Sequence, residues 1–246
     1  MSDYQPGVIS LLVPSRMRPD GCRAMWLSAL DTADDPLRLQ LVLYLDDDDP
    51  TLPAYHAWVG TSATDHGRVK LVTGPRIVLS ETWNRCWEVA DGEIGWHGND
   101  DIRFRTDGWD KLVRAEFEAV PDRIVLVHGR DGAHDAAMAT HGFLHHRWTE
   151  TVGYFVPPHF SSDYNDAWNS EVADRIGRRR FLPEVYTEHL HPAIRGADGQ
   201  PKGPLDQTHR ERLQRHREDN VDQRYRELAY ERAYWADKLR TAMHGE

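Results

Sequence analysis

The chain has 246 residues, 39% hydrophobic and 28% charged, with a formal net charge of −10. That length holds one sizeable α/β domain with an appendage, and the acidic balance argues against a general nucleic-acid binder. Two cysteines, Cys22 and Cys86, are too few for a disulfide scaffold or a cysteine-based zinc site.

Residues 8–13 (VISLLV) form an unbroken apolar run between Pro6-Gly7 and Pro14, the pattern of a strand buried on both faces. Residues 20–31 place Cys22, Met25, Trp26, Ala29 and Leu30 at helical spacing. A second buried strand, 39–45 (LQLVLYL), stops at Asp46-Asp47-Asp48-Asp49-Pro50, and a short third is expected at 69–72. The spacing predicts a helix over 80–90, capped by Ser80 with Glu81 in its first turn. A fourth strand at 93–96 leads into Asn99-Asp100-Asp101, a helix follows at 109–119, and a fifth strand at 123–127. Strands alternating with helices imply a mostly parallel sheet covered on both faces.

Beyond this, 142–149 reads as a strand, 155–162 as a proline-containing loop, and 165–175 as a helix capped by Asp163 or Asn165. Residues 185–191 read as the last strand. Residues 195–204 (RGADGQPKGP) form a turn-rich connector, and 205–243 one or two amphipathic helices docking on the domain or on a second subunit. This divides the chain into a catalytic domain, 1–194, and an extension, 195–246. No stretch reaches membrane-span length and no secretory signal is visible, so a cytoplasmic location is expected.

Ligands of open parallel sheets bind beyond the carboxyl ends of the strands. Four such ends carry reactive groups here: Pro14, Ser15, Arg16 and Arg18; Asp46 to Asp49; Asn99 to Asp101; and His128, Arg130 and Asp131. Adjacent carboxylates at a strand end are costly unless a cation lies between them, and hard divalent ions also favour phosphate oxygens. In VYTEHLH, alternation puts His189 and His191 on one face, where neutral imidazoles suit a Mn²⁺-like ion. His145 and His146, adjacent on a strand, are expected to face opposite ways and to be surface histidines.

The ordered set VISLLVPSR, LVLYLDDDDP, SETWNRCWEVADGEIGWHGNDDIRF, YNDAW and FLPEVYTEHLHP resembles the nucleotide-sugar glycosyltransferases of GT-A fold, most closely the family 2 type, over about residues 7–192. The resemblance implies a GT-A-type, Rossmann-like sheet flanked by helices and followed by a helical extension. It implies a UDP- or GDP-sugar donor and a Mn²⁺ or Mg²⁺ cofactor. Pro14, Ser15 and Arg16 would line the nucleotide site, with Asp46 or Asp47 accepting from the base. Arg16, Arg18 or Arg76 would add to the cation's neutralisation of the diphosphate. Asn84 matches a family Asn, although Cys86 stands where Gly is usual. Asn99-Asp100-Asp101 occupies the DXD position with Asn for the first acid, which leaves the metal to Asp100 or, preferably, Asp101, completed by His189 or His191. Asn165-Asp166 matches the family's Glu-Asp pair, making Asp166 the base of an inverting transfer, with Asp163 as the alternative. The acceptor is open: a protein, a small molecule or a modified base, nucleic acid being otherwise unexpected. A homodimer through the C-terminal helices is also open. A sugar nucleotidyltransferase or a non-catalytic carbohydrate- or protein-binding module are the competing readings; the first usually carries a Gly-rich loop, where this chain has PSRMRPDG. The Arg/Asp/Trp-rich composition suits a bacteriophage of a high-GC host.

Overall fold

The computed structural model describes residues 4–59, 61, 68–161 and 163–245. Its strands are β1 (Gln5–Ser15), β2 (Leu39–Asp46), β3 (Arg68–Gly74), β4 (Gly92–His97), β5 (Ile102–Phe104), β6 (Leu126–Arg130), β7 (Phe143–His145) and β8 (Arg179–His189). They form one sheet in the order β3-β2-β1-β4-β7-β6-β8-β5. Pairings β1–β2, β2–β3, β1–β4 and β6–β8 are parallel; β7 runs antiparallel between β4 and β6, and β5 antiparallel on β8. Every residue of β2 is buried and β1 is buried through its centre, which is why both read as continuous apolar runs.

The helices are α1 (Pro19–Thr32), α2 (Leu52–Trp58), α3 (Leu79–Glu88), α4 (Trp109–Glu118), α5 (His146–Val152), α6 (Asn165–Arg175), α7 (Gln207–Glu218), α8 (Val221–Glu227) and α9 (Ala229–Met243). One sheet face packs on α1 and α4 through Met25, Trp26, Val113 and Phe117; the other packs on α3, α5 and α6 through Trp83, Trp87, Trp148 and Trp168. Trp109 and Trp168 are both fully buried core residues.

Several boundaries differ from expectation. α3 starts at Leu79, so Ser80 lies inside the helix and does not cap it. The fifth strand begins three residues later than predicted, because Arg123 adopts a left-handed turn (φ +62°). The predicted strand 142–149 is three strand residues followed by α5, with His145 Nδ1 capping the helix by accepting from Arg147 N. β8 starts six residues early and ends at His189. α2 and β5 were not anticipated. Asp49, buried at the end of the acidic run, accepts from Thr51 N and Met17 N and so ties α2 to the loop after β1.

The extension folds as three helices against the same chain. Val221, Ala236 and Leu239 join the α3–α5–α6 core. Arg232, only 3% exposed, donates to Glu171 Oε2 (2.7 Å) and to Tyr225 O (2.7 Å), and stacks 3.8 Å from the Tyr225 ring centre. Arg232→Ala strands part of this network and is expected to cost about 3 kcal/mol, read as a lower urea midpoint. An unchanged midpoint would show that α9 docks through apolar contacts alone. Among the described residues no helix is long and apolar enough to cross a membrane.

Candidate active site

A cleft opens at the carboxyl ends of β1, β2 and β4, closed on its outer side by α7. Gly98 makes the turn into it. Its amide donates to Leu12 O (3.1 Å), and a Cβ there would stand 2.3 Å from the Trp96 ring, so only glycine lets the chain leave β4 this tightly.

The two acids after that turn have different surroundings. Asp100 is saturated: Ser15 Oγ donates to Oδ2 (2.7 Å) and Arg18 Nη1 to Oδ1 (3.0 Å). Burial pushes its carboxyl up, and Arg18 opposes that. Asp101 is poorly satisfied. Its buried Oδ1 accepts no hydrogen bond among the described residues and lies 3.4 Å from His189 Nε2, while Oδ2 lies 3.8 Å from His209 Nε2. Burial would raise this carboxyl, but His189 and His209 outweigh it and hold Asp101 well below the ordinary range. The aligned ends of β5 and β8 fix the pair, since Leu190 N donates to Asp101 O (2.8 Å) and Ile102 registers with His189.

Four imidazoles run along this wall. The ring centres of His141 and His189 are 4.8 Å apart, of His189 and His191 5.1 Å, and of His191 and His209 4.9 Å. Burial and the neighbouring His189 bring His191 down to about 4, leaving it neutral at physiological pH.

The donor side is built as expected in part. Pro14, Ser15, Arg16, Asp46 and Arg76 line the cleft. Arg16 Nη1 binds Asp46 Oδ2 (3.0 Å) and pairs with Asp48; Arg76 Nε stands 3.8 Å from Asp46 and pairs with Glu211 of α7. Asp47 is exposed and outside the lining. Asn84 also lies outside: its Oδ1 accepts from Phe155 N (2.9 Å) and Val156 N (3.0 Å), and its Nδ2 donates to Val156 O (2.9 Å), so it clamps a loop. Asn99 lines the cleft and faces His141 Nε2 (3.3 Å).

Asp166 sits in the first turn of α6 and opens to the cleft. Enclosure by protein, with Asp163 nearby, pushes its carboxyl up to about 6, against the backbone bond from Ala167. Neither Asp163 nor Asn165 caps α6; Tyr164 holds the cap position at φ +72°. Asp163 instead pairs with Arg212 and with His216 Nδ1 (2.6 Å), both on α7.

α7 contributes what sequence reading missed. Asp206 caps it by accepting from His209 N, and also binds Arg18 Nε (2.7 Å) and Nη2 (2.8 Å). A D-x-x-H start to a charged helix was the available signal, although nothing local points it at the cleft. His141 was missed too, as a lone histidine in irregular chain.

His145 and His146 were expected on the surface, facing apart. They lie together, ring centres 4.3 Å apart, with His145 3% exposed and its Nε2 3.5 Å from Glu93 Oε2. The turn from β7 into α5 brings them to one side. Because His145 Nδ1 accepts from Arg147 N, its proton is on Nε2, facing Glu93, and no lone pair remains there for an ion.

Against known proteins, no family model and no curated sequence matches. Among solved structures, the mannosyltransferase PcManGT from Pyrobaculum calidifontis, in complex with GDP-Man and Mn²⁺, superposes with a TM-score of 0.60 at 16% identity, covering 97% of this chain and 74% of that one. Residues 1–349 of S. aureus TarS superpose at 0.55 with 12% identity, covering 74% of this chain and 60% of that one; the complex with UDP-GlcNAc gives 0.56. The fold is a glycosyltransferase fold. The chain spans about three fifths of that TarS structure.

Proposed function

We propose that the chain is an inverting, metal-dependent glycosyltransferase that moves a sugar from a UDP- or GDP-sugar to an acceptor hydroxyl. The observation that carries this reading is the buried Asp101 Oδ1, which accepts no hydrogen bond among the described residues and lies beside His189 in the same cleft as Asp166. A buried anionic oxygen with no aligned donor among the described residues fits a divalent cation, and the carboxylate–imidazole set suits Mn²⁺ better than Mg²⁺. When bound, that cation would offset negative charge developing on the departing diphosphate. Asp101 would hold it, completed by His189 or, where that ring is engaged elsewhere, by His209, with His191 alongside. Asp100 would instead position Ser15 and Arg18. Pro14, Ser15 and Arg16 would flank the nucleotide, Asp46 would accept from the base, and Arg76 would face the phosphates. Asp166 would take the proton of the attacking hydroxyl. Asp163 serves worse as base, being tied to Arg212 and His216 of α7.

Thermal unfolding with UDP, GDP, UDP-GlcNAc and GDP-mannose, each with and without Mn²⁺, tests the reading. Stabilisation by nucleotide is expected only when Mn²⁺ is also present, beyond any shift that Mn²⁺ gives alone, by about 3 kcal/mol at a hundredfold excess over Kd. Indifference to every nucleotide would favour a non-catalytic binding module.

A further inference from the structure

We infer that Asp131, His141 and His189 form a second, inner cation centre, which takes Mn²⁺ or Zn²⁺ in preference to Mg²⁺ and needs no nucleotide. One donor atom from each residue lies within 4.8 Å of the others. The centre is built from three separate parts of the chain: the end of β6, the segment before β7 and the end of β8.

Asp131 is 2% exposed and rigidly held. Its Oδ1 accepts from the backbone amides of Ala133 (2.8 Å), His134 (2.7 Å) and Asp135 (3.0 Å). Its Oδ2 is buried and accepts no hydrogen bond among the described residues; the mostly exposed His134 places Nδ1 3.5 Å away without the alignment of one. His141 is 3% exposed, and its Nδ1 is likewise buried and unpartnered. His189 is fixed beside them, because its backbone amide donates to Asp131 O (3.0 Å) and its ring stands at 85° to that of His141.

A buried carboxylate oxygen and a buried imidazole nitrogen, each without a hydrogen bond, are costly to the fold. One ion relieves both. Donors around an ion at about 2.1 Å lie about 3.4 Å apart, so a small inward turn of the rings completes the shell. His141 can present a lone pair: a half-turn of the Asn99 amide lets Asn99 Oδ1 accept from Nε2–H, leaving Nδ1 unprotonated. The Glu93–His145–His146 grouping fails this requirement. Two imidazoles and one carboxylate favour a borderline ion over Mg²⁺, which prefers oxygen donors. With His189 turned inward, Asp101 keeps His209 for an ion carried with the donor.

Titration of the chelator-stripped full chain with Mn²⁺, followed by the EPR signal of free ion and without nucleotide, tests this centre. Saturable binding is expected, displaced by Zn²⁺ and not by a large excess of Mg²⁺. Asp131→Asn and His141→Gln should each weaken it by at least about tenfold, and Asp101→Asn should change it by less than about threefold. Circular dichroism confirms folding; should Asp131→Asn unfold, His141→Gln decides alone. Wild-type affinity in His141→Gln, or binding that appears only with UDP or GDP, overturns the centre. So does loss of binding in Asp101→Asn, which would place the ion at Asp101 and leave the proposed transferase standing.

Discussion

Asp166→Asn is expected to lose glycosyl transfer by about 10²- to 10⁴-fold while becoming more stable. Both effects come from the same enclosure at the start of α6. A carboxyl pushed from 3.8 up to about 6 holds its charge at an expense of up to about 3 kcal/mol above that pH. The native state therefore binds this proton more tightly than the unfolded chain does. Its contribution to stability is greatest below pH 4, declines as pH rises towards 6, and is flat beyond. Asparagine removes the charge, so the stability gain of the variant should open between pH 4 and 6 and persist at pH 8. Transfer by the parent enzyme should decline below about pH 6, where Asp166 takes up its proton and can no longer accept one from the acceptor. Donor affinity, read by the nucleotide-dependent shift in unfolding, should be retained. Turnover that survives in Asp166→Asn, or a rate flat from pH 5 to 8, would remove Asp166 from the base role.

The parts of this site carried by strand ends were legible because buried parallel strands are continuous apolar runs. The polar residue that ends such a run, Ser15 after β1 or Asp46 closing β2, must then face the cleft. Strand alternation put His189 and His191 on one face; β8 ends at His189, and their ring centres lie 5.1 Å apart through the chain that follows it. What failed depended on contacts distant in sequence. Asn84 fits a family pattern, yet its amide is used on Phe155 and Val156, more than seventy residues away. β5 has only three residues and exists because β8 runs beside it. His209 reaches Asp101 only because Asp206 docks α7 on Arg18, a pairing 188 residues apart. The amphipathic pattern of 205–243 indicated docking, but its charged face was the informative one: Arg212 and Arg215 of that face line the cleft.

Asp101→Ala is expected to abolish cation-dependent nucleotide binding and leave the fold intact, because the backbone also holds this strand end. Among the described residues Asp101 Oδ1 accepts no aligned hydrogen bond, and the strand end is held by the backbone bond from Leu190, which alanine preserves. Because His189 and His209 hold Asp101 well below the ordinary range, its carboxylate stabilises the fold at neutral pH and its removal should lower the unfolding midpoint modestly; Asp100→Ala takes the acceptor from Ser15 Oγ and Arg18 Nη1, while Arg18 keeps Asp206. The pair of variants separates the two adjacent acids by their effect on ion-dependent binding. Asp101→Ala should stay folded and lose the response to nucleotide with Mn²⁺. Asp100→Ala should lose a few kcal/mol, on the order of 2–4, and weaken nucleotide binding through the displaced Arg18 loop. Full nucleotide affinity in Asp101→Ala would transfer the ion to another acid. A larger loss of stability in Asp101→Ala than in Asp100→Ala would mean that Asp101 serves the fold rather than an ion.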